Sequence, residues 1–336
     1  MKILVTGGLG YIGSHTVVEL QSEGFEVVVI DNLSNSSEEV KDRIESISGM
    51  PLTAHIMDVN DTALLNQIFE KHHFDGVIHF AAHKSVGESV DYPVMYYHNN
   101  ITGLISLLGC IENHAISNLI FSSSCTVYGV AKELPVTEST VIQSAESPYG
   151  TTKILCEDLI RDYIRHKEFK SILLRYFNPA GAHPSALIGE LPLGVPNNLI
   201  PYITQTAAGI REQLTVYGND YATDDGTCIR DYIHVVDLAK AHVKALKYSV
   251  KMNKRLEVFN VGTGNGNTVL EVIQAFESVN NLKLPYTIGP RREGDVEQIW
   301  ADTTKVNSEL GWEAQYDIRD MMRHSWQWQK SLSANK

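Results

Sequence analysis

The first half of the chain alternates short, continuous apolar runs with longer stretches whose apolar positions recur at helical spacing. Lys2–Thr6, Glu26–Ile30, Thr53–Met57, Gly76–Phe80, Asn118–Ser122 and Ser171–Arg175 read as strands, and Tyr11–Glu23, Thr62–Lys71, Pro93–Asn113 and Pro148–His166 as helices. Strands that are apolar on both faces and separated by helices predict a doubly wound, parallel α/β sheet of Rossmann type. After Arg175 the rhythm breaks into a segment rich in Pro, Gly and Asn, from Asn178 to Pro201, followed by helices near Leu199–Ala208, Val236–Tyr248 and Thr268–Val279. We expect a dinucleotide-binding lobe over 1–176, with return segments from about 226–262, and a smaller C-terminal α/β substrate lobe over 177–336. No repeat is evident, and only the final SLSANK reads as disordered.

Composition narrows the partners. The 336 residues carry 28 Lys plus Arg against 40 Asp plus Glu, a net charge of -12, so the molecule lacks the positive field that favours nucleic acid or an anionic membrane. A small phosphorylated ligand is still compatible, because local Arg side chains and helix N-termini bind phosphate. The opening MKILVTGG reads as a buried strand and not a signal peptide, and no run approaches the roughly 18 apolar residues of a membrane span. Cys110, Cys125, Cys156 and Cys228 are widely spaced, which argues against zinc or disulfides and fits a reducing cytoplasm. His79 and His83 straddle a strand end, so they share no face on which to hold a metal, and His72/His73 read as a solvated helix end.

Gly7, Gly10 and Gly13 directly follow the first strand and open a helix, the context a pyrophosphate-binding turn requires. Glycine triplets also occur in plain strand-to-helix turns, so Asp31 at the end of the second strand carries more weight. Its carboxylate can accept both ribose hydroxyls of an adenosine. No Arg in Asn32–Ser37 stands ready for a 2′-phosphate, which favours NAD over NADP. Asp58 can reach the adenine or be a solvated loop acid.

A Tyr and a Lys four residues apart share a helix face, and a nearby ammonium lowers a phenol's pKa toward that of a general base. Tyr128/Lys132, Tyr149/Lys153 and Tyr163/Lys167 all fit the spacing. Tyr128 lies in a turn and Tyr163 late in a helix, whereas Tyr149 begins one just after Pro148, near the C-terminal strand ends where such folds bind ligands. Ser122, Ser123 and Ser124 end the preceding strand and can present a hydroxyl there. Ser, Tyr and Lys beside a nicotinamide make a carbinol-oxidising set.

The segments VTGGLGYIGSHT, DNLSN, HFAAHKSVGESV, FSSSCTVYG, SPYGTTK, RYFNPAGAHPSA, TCIRDYIHVVDLA and PRREGD together resemble the extended short-chain dehydrogenase/reductase family, and within it the UDP-glucose 4-epimerases. The resemblance covers nearly the whole chain. It implies Ser124, Tyr149 and Lys153 as catalytic residues. Around NAD it implies Gly7, Gly10, Tyr11, Ile12, Gly13, Asp31, Asn32, Asn35, Ser36, Asp58, Val59, Phe80, Ala81, Ala82, Lys84, Asn99, Ser122, Tyr149, Lys153 and Tyr176. Around the UDP-sugar it implies Lys84, Ser124, Tyr149, Asn178, Asn198, Leu199, Tyr217, Arg230, Tyr232, Arg292, Asp295 and Ile299, with the two arginines neutralising the diphosphate. A redox-neutral inversion at C4 through a 4-keto sugar, with resident NAD and a homodimer built through Pro93–Asn113 and Pro148–His166, belongs to the same expectation.

Three relatives of this chemistry fit less well. Sugar-nucleotide 4,6-dehydratases carry an Asp-Glu pair where this chain has Cys125 and Thr126, and UDP-glucuronate decarboxylases carry Glu at the position of Thr126. A simple dehydrogenase needs freely exchanging NAD. A non-catalytic dinucleotide sensor has no need to keep Ser124, Tyr149 and Lys153 together. Ile299 stands where epimerases restricted to plain hexoses usually carry Tyr and those accepting N-acetylhexosamines a smaller residue such as Cys. Stiff and β-branched, it is expected to leave UDP-N-acetylglucosamine a poor substrate.

Overall fold

The computed structural model describes residues 1–165, 167–292 and 295–334. Its strands are β1 (Lys2–Thr6), β2 (Glu26–Asp31), β3 (Thr53–Ile56), β4 (Gly76–His79), β5 (Asn118–Ser124), β6 (Lys170–Tyr176), β7 (Asn178–Ala180), β8 (Leu214–Tyr217), β9 (Ile229–His234), β10 (Leu256–Val261), β11 (Gly266–Thr268), β12 (Tyr286–Gly289) and β13 (Gln298–Ile299). The helices used below are α1 (Tyr11–Ser22), α2 (Glu39–Ser48), α3 (Thr62–His72), α4 (Val86–Asp91), α5 (Pro93–Tyr97), α6 (Gly103–Asn113), α7 (Pro148–Ile164), α8 (Leu199–Ala207), α9 (Val235–Lys251), α10 (Val269–Asn280), α11 (Thr304–Leu310) and α12 (Ile318–Ala334).

Seven strands form one parallel sheet in the order β10-β6-β5-β4-β1-β2-β3. Alternation within each strand feeds two cores, one on each face. Ile3, Val5, Val27, Val29, Ile120 and Phe259 pack with α1 and α9, while Leu4, Val28, Ile30, Leu119 and Phe121 pack with α3, α6 and α7. This is why the strands read as unbroken apolar runs. The strand order reverses between β1 and β4, and the crevice past their C-terminal ends receives Gly7 on one side and Phe80 and Ala81 on the other. A smaller C-terminal layer holds β11-β9-β13 with β7 also on β9, and the pair β8–β12, around a core of Ile203, Val216, Phe276, Met321 and Met322.

Several expectations need correction. The stretch Pro93–Asn113 is not one regular helix: α5 and α6 are joined by a π turn at His98–Thr102. Buried Asn100 explains it, since its amide donates to the His83 carbonyl at 3.1 Å and to Thr152 Oγ1 at 3.0 Å, while accepting the His83 amide at 2.8 Å. These anchors outweigh a regular spiral, and the extra residue re-aims the neighbouring side chains. The C-terminal residues read as disordered are helical as far as Ala334, because Trp328 docks against Gly189 and Ser331 donates to the Ala186 carbonyl at 2.9 Å. Asn335 and Lys336 lie outside the described residues, as does His166, the expected end of α7, which ends at Ile164. Sequence patterning also passed over α2, α4, α11, α12, the short strands of the C-terminal layer and β10 of the main sheet, which fell unassigned within the return segment.

Between the two layers sit buried histidines. His234 Nε2 and His324 Nδ1 are 3.0 Å apart, His234 stacks on Tyr316 at 4.2 Å, and His15 holds the Tyr11 carbonyl at 2.7 Å. Burial pushes His15 down to about 3 and His234 to about 2, and in the first layer His79 falls to about 3 and His242 to about 4. All four are therefore neutral when folded, whereas an unfolded imidazole takes up a proton near pH 6.5. Stability is fully present above that value and falls as the pH drops below it, each group adding a slope of about 1.4 kcal/mol per pH unit. Urea midpoints measured from pH 7.5 to 5 are expected to fall steeply once below about 6.5; a flat profile down to pH 5 contradicts the assignment.

Candidate active site

The turn after β1 is built for close approach. Gly7 has φ +70°, and a Cβ there would meet the Ala81 amide nitrogen at 2.8 Å; at Gly13 a Cβ would sit 2.1 Å from the Gly7 carbonyl oxygen. Only glycine fits either position. Gly10 is the N-cap of α1, and no side chain caps the helix. Its first amides and its dipole thus face the crevice, an arrangement suited to a diphosphate. Asp31 ends β2 and is buried, accepting the Leu9 amide at 3.0 Å on one oxygen and the Leu33 amide and Ser36 hydroxyl on the other. The oxygen that accepts the Leu9 amide keeps one acceptor site for a ribose hydroxyl, and the other regains one when the Ser36 hydroxyl turns aside. Asp58 accepts from Asn60 and Asn32, and although burial raises its pKa, these hydrogen bonds outweigh it and hold the carboxyl below its ordinary value. The groove has the shape and donor set of an NAD site.

Of the residues expected around the cofactor, every one except Ser122 lines this single groove, from Asp31 and Asp58 at one end to Tyr149, Lys153 and Tyr176 at the other. The π turn delivers Asn99 into it. Ser122 stands behind, donating to the Tyr176 phenol at 3.0 Å. Ile30, Ser34 and Met57 also line the groove; as ordinary strand and loop residues they gave no chemical signal in the sequence.

At the Tyr149 end a helix cap and two hydrogen bonds to β5 set the position of α7. Ser147 caps α7 by accepting the Gly150 amide, which orients the first turn and with it Tyr149. Lys153 Nζ, one turn on, donates to the Ser122 carbonyl at 2.7 Å and lies 4.9 Å from the Phe121 ring centre. A further turn on, Glu157 accepts the Ser123 hydroxyl at 2.6 Å and binds Arg175 through both oxygens, at 2.9 and 2.6 Å. Arg175 passes the interaction to the Tyr128 phenol at 3.1 Å, and Tyr128 donates to Asn260 of β10 at 2.6 Å. Ser124 accepts from the Thr126 amide and hydroxyl, so its own hydroxyl hydrogen is free to turn to the groove.

Electrostatics at this end differ from the expectation. Burial raises the Tyr149 phenol well above its ordinary value, with Tyr176 adding to the rise and the facing Ser124 hydroxyl offsetting part of it. Burial also lowers Lys153 to about 8. The Lys153 ammonium does not make Tyr149 a phenolate in the free protein, because Nζ is turned to the Ser122 carbonyl and lies 5.8 Å from the Tyr149 ring centre. Desolvation wins over the pairwise charge term for both groups.

The residues expected around a UDP-sugar fall in two places. Asn178 follows Tyr176 by two residues, and in the β7–β9 register it stands beside Tyr232, a buried phenol raised to about 12 by burial. Two residues earlier on β9, Arg230 pairs with Asp295 at 3.6 Å, and Arg292 binds the same carboxylate at 2.7 Å while lying 6.0 Å from the Tyr217 ring centre. Ile299 is opposite Arg230 in register and buried among Cys125, Val127 and Phe177, one residue from Ser124. Asn198 and Leu199 begin α8 on the far side of the cleft from Lys84. The alternative Tyr/Lys pairs are placed elsewhere: Tyr128 in the buried network above, Tyr163 against Phe169, and Lys167 on Glu112. His79 donates to or accepts from Thr6 Oγ1 at 2.7 Å, and among the described residues no group of three metal-binding side chains converges.

A family profile described as GDP-mannose 4,6 dehydratase matches residues 4–325. A UDP-glucose 4-epimerase of Bacillus subtilis is 50% identical over 332 residues, covering 98% of this chain and 97% of its own. Among solved structures, a UDP-glucose-4-epimerase from Stenotrophomonas maltophila with bound NAD and formylated UDP-arabinopyranose superposes with a TM-score of 0.97 at 46% identity, and one from Bifidobacterium longum with NAD+ and UDP at 0.96 and 46%, each pairing the whole of both chains. The glycine turn, the Ser–Tyr–Lys end of the groove and this likeness along the full chain agree: the chain belongs to the GDP-mannose 4,6 dehydratase family and, within it, to the UDP-glucose 4-epimerases.

Proposed function

We propose that the chain catalyses the reversible C4 epimerisation of UDP-galactose and UDP-glucose with tightly held NAD. The observation that carries this reading is that Tyr149 and Lys153 line one end of a groove whose other end holds Asp31, with buried Ser124 set against Tyr149. NAD, when bound, supplies a positively charged nicotinamide that takes a hydride from C4 of the sugar and returns it to the opposite face. Tyr149 takes the C4 hydroxyl proton as a phenolate and gives it back when the hydride returns; burial raises its phenol in the ligand-free protein, and the cationic nicotinamide together with the Lys153 ammonium would favour the ionised form that can act as the base. Ser124 binds the C4 oxygen, and Lys153 holds the end of β5 and α7 together while offering its remaining N–H groups to the nicotinamide ribose.

Asp31, Asp58 and the turn at Gly7–Gly13 hold the adenosine and pyrophosphate. Arg230 and Arg292 bind the diphosphate, each already oriented by Asp295, with Asn178, Asn198, Leu199, Tyr217 and Tyr232 completing the UDP-sugar contacts. The division of labour is 1–176 with the return segment for the cofactor and 177–336 mainly for the UDP-sugar. The dehydratase reading of the family profile is disfavoured because Cys125 and Thr126 supply no carboxylic acid and base; burial raises the Cys125 thiol to about 12. The protein works as a homodimer through α4–α7, where Val90, Val94, Ile105 and Leu155 remain exposed, and in the cytoplasm, where its four cysteines stay reduced. No described helix is long and apolar enough to cross a membrane.

The direct test is incubation of purified protein with UDP-galactose and no added NAD, followed by chromatography for UDP-glucose. Conversion supports resident NAD, and its absence from NAD-replete protein overturns the function. Tyr149→Phe and Ser124→Ala are expected to retain NAD, read by absorbance after denaturation, but to lower turnover by about 10²- to 10⁴-fold; wild-type rates in both would sink the assignment. Ile299 shares a buried cluster with Cys125, the neighbour of Ser124, so Ile299→Gly is expected to raise kcat/KM for UDP-N-acetylglucosamine relative to UDP-glucose by about tenfold or more. Ile299→Cys gives the same trend with a smaller cavity, and an unchanged ratio in both variants removes Ile299 from substrate selection.

A further inference from the structure

One carboxylate lies between the cofactor side and the substrate side of the cleft without belonging to either. Glu190 Oε1 accepts Lys84 Nζ at 3.1 Å and Asn198 Nδ2 at 2.7 Å, so one oxygen serves two donors that come from opposite sides of the cleft. Lys84 follows β4 and sits 5.6 Å from the Tyr11 ring centre, over the start of α1. Asn198 is the N-cap of α8, a position where asparagine normally accepts an amide of its own helix, yet no side chain caps α8. Its amide is turned to Glu190 instead.

The backbone that carries Glu190 is firmly held. The Trp328 indole donates to the Glu190 carbonyl at 3.0 Å, Gly189 bridges to Ala182, and a Cβ on Gly189 would strike the Trp328 ring at 2.5 Å. Arg43 of α2 covers the outer face of Trp328 at 5.2 Å. The Glu190 side chain is 12% exposed and that of Lys84 40%, so the crossbar has a largely buried middle and a more open cationic end. Each donor keeps N–H groups beyond the one spent on Glu190: two on the ammonium and one on the amide. These remain to meet a ribose, a sugar hydroxyl or a phosphate.

We propose that Glu190 is a positioning residue that couples NAD retention to UDP-sugar binding, by fixing Lys84 and Asn198 through one shared carboxylate oxygen. The proposal rests on the preceding assignment of Lys84 to the cofactor and sugar and of Asn198 to the UDP-sugar. Whichever ligand arrives first immobilises its donor and, through Glu190, the other; the second ligand then meets a donor already ordered. The two affinities rise together, and reciprocally, as linkage requires. It also gives a physical basis for keeping the cofactor in place while the keto sugar is present.

The test uses purified holoenzyme, with UDP as the probe. In the wild type, saturating UDP is expected to slow NAD release, followed by trapping the freed cofactor with a coupled dehydrogenase, by about fivefold or more. Glu190→Ala is expected to bring that ratio close to one and to raise KM for UDP-galactose by about tenfold while kcat changes far less, as for other residues that orient a ligand-binding group. Glu190→Gln, whose amide oxygen still accepts both bonds, restores part of the ratio. Should Glu190→Ala fail to fold, the cycle of Glu190→Gln and Asn198→Ala decides: non-additive effects on UDP affinity support one shared bond, and additive effects overturn it. A wild type on which UDP has no influence, or a Glu190→Ala with the wild-type ratio and KM, overturns the proposal. Wild-type conversion of UDP-galactose in the same preparation shows that such a failure concerns Glu190 alone; no conversion overturns the function itself.

Discussion

The site hangs on the buried ion pair between Glu157 and Arg175. Both are almost fully excluded from solvent, and such a pair is retained only when its geometry is good and its remaining hydrogen-bonding capacity is filled. Here Ser123, Tyr128 and Arg161 fill it. Because Tyr149, Lys153 and Glu157 follow at intervals of four, the pair fixes the phase of α7, and that phase brings Tyr149 to Ser124 and Lys153 to the Ser122 carbonyl. Sliding α7 by one residue breaks all three meetings together. Removing one charge and leaving the other buried costs about 3–5 kcal/mol. The hydroxyls, the ammonium and the phenol thus gain their precision from a charge pair that never touches a ligand.

Above that pair, burial sets the chemistry in a way that spacing cannot express. Four residues between Tyr and Lys suggest a cation lowering a phenol; the folded site shows desolvation pushing the phenol up and the ammonium down, so both drift toward neutrality. The ammonium keeps most of its charge near neutral pH, and a bound cationic nicotinamide would add the further positive charge that draws the phenol toward the ionised form a base requires.

What could be read from the chain follows from the range of the interactions concerned. Six strands of the central sheet were legible because strands buried on both faces carry their signature locally, as in Lys2–Thr6, and because Gly7–Gly13 and Asp31 lie in one local unit; β10, which joins from far along the chain, was not read as a strand. The cofactor groove was legible through those same residues together with the resemblance. The π turn at His98–Thr102 was not, since its cause is Asn100 bonding to His83 and Thr152 far along the chain. Glu190 was equally silent: an isolated Glu in a loop of Pro and Gly has no pattern, and its meaning appears only when Lys84 and Asn198 converge on it. The end of α12 misled for a related reason, its small polar residues being held by Trp328 and Ala186 and not by their own propensity.

The position of β10 constrains how the molecule is made. It completes the first sheet beside β6, yet it ends at Val261, after β7, β8, β9 and α9 have all been synthesised. Until then β6 emerges on the ribosome as a long, apolar edge with one side unpaired, the kind of surface that seeks strands from other chains. The nascent protein therefore spends the synthesis of some eighty residues, from Tyr176 to Leu256, with its largest sheet open. An unpaired β6 edge throughout that interval is built into the order in which the strands leave the ribosome.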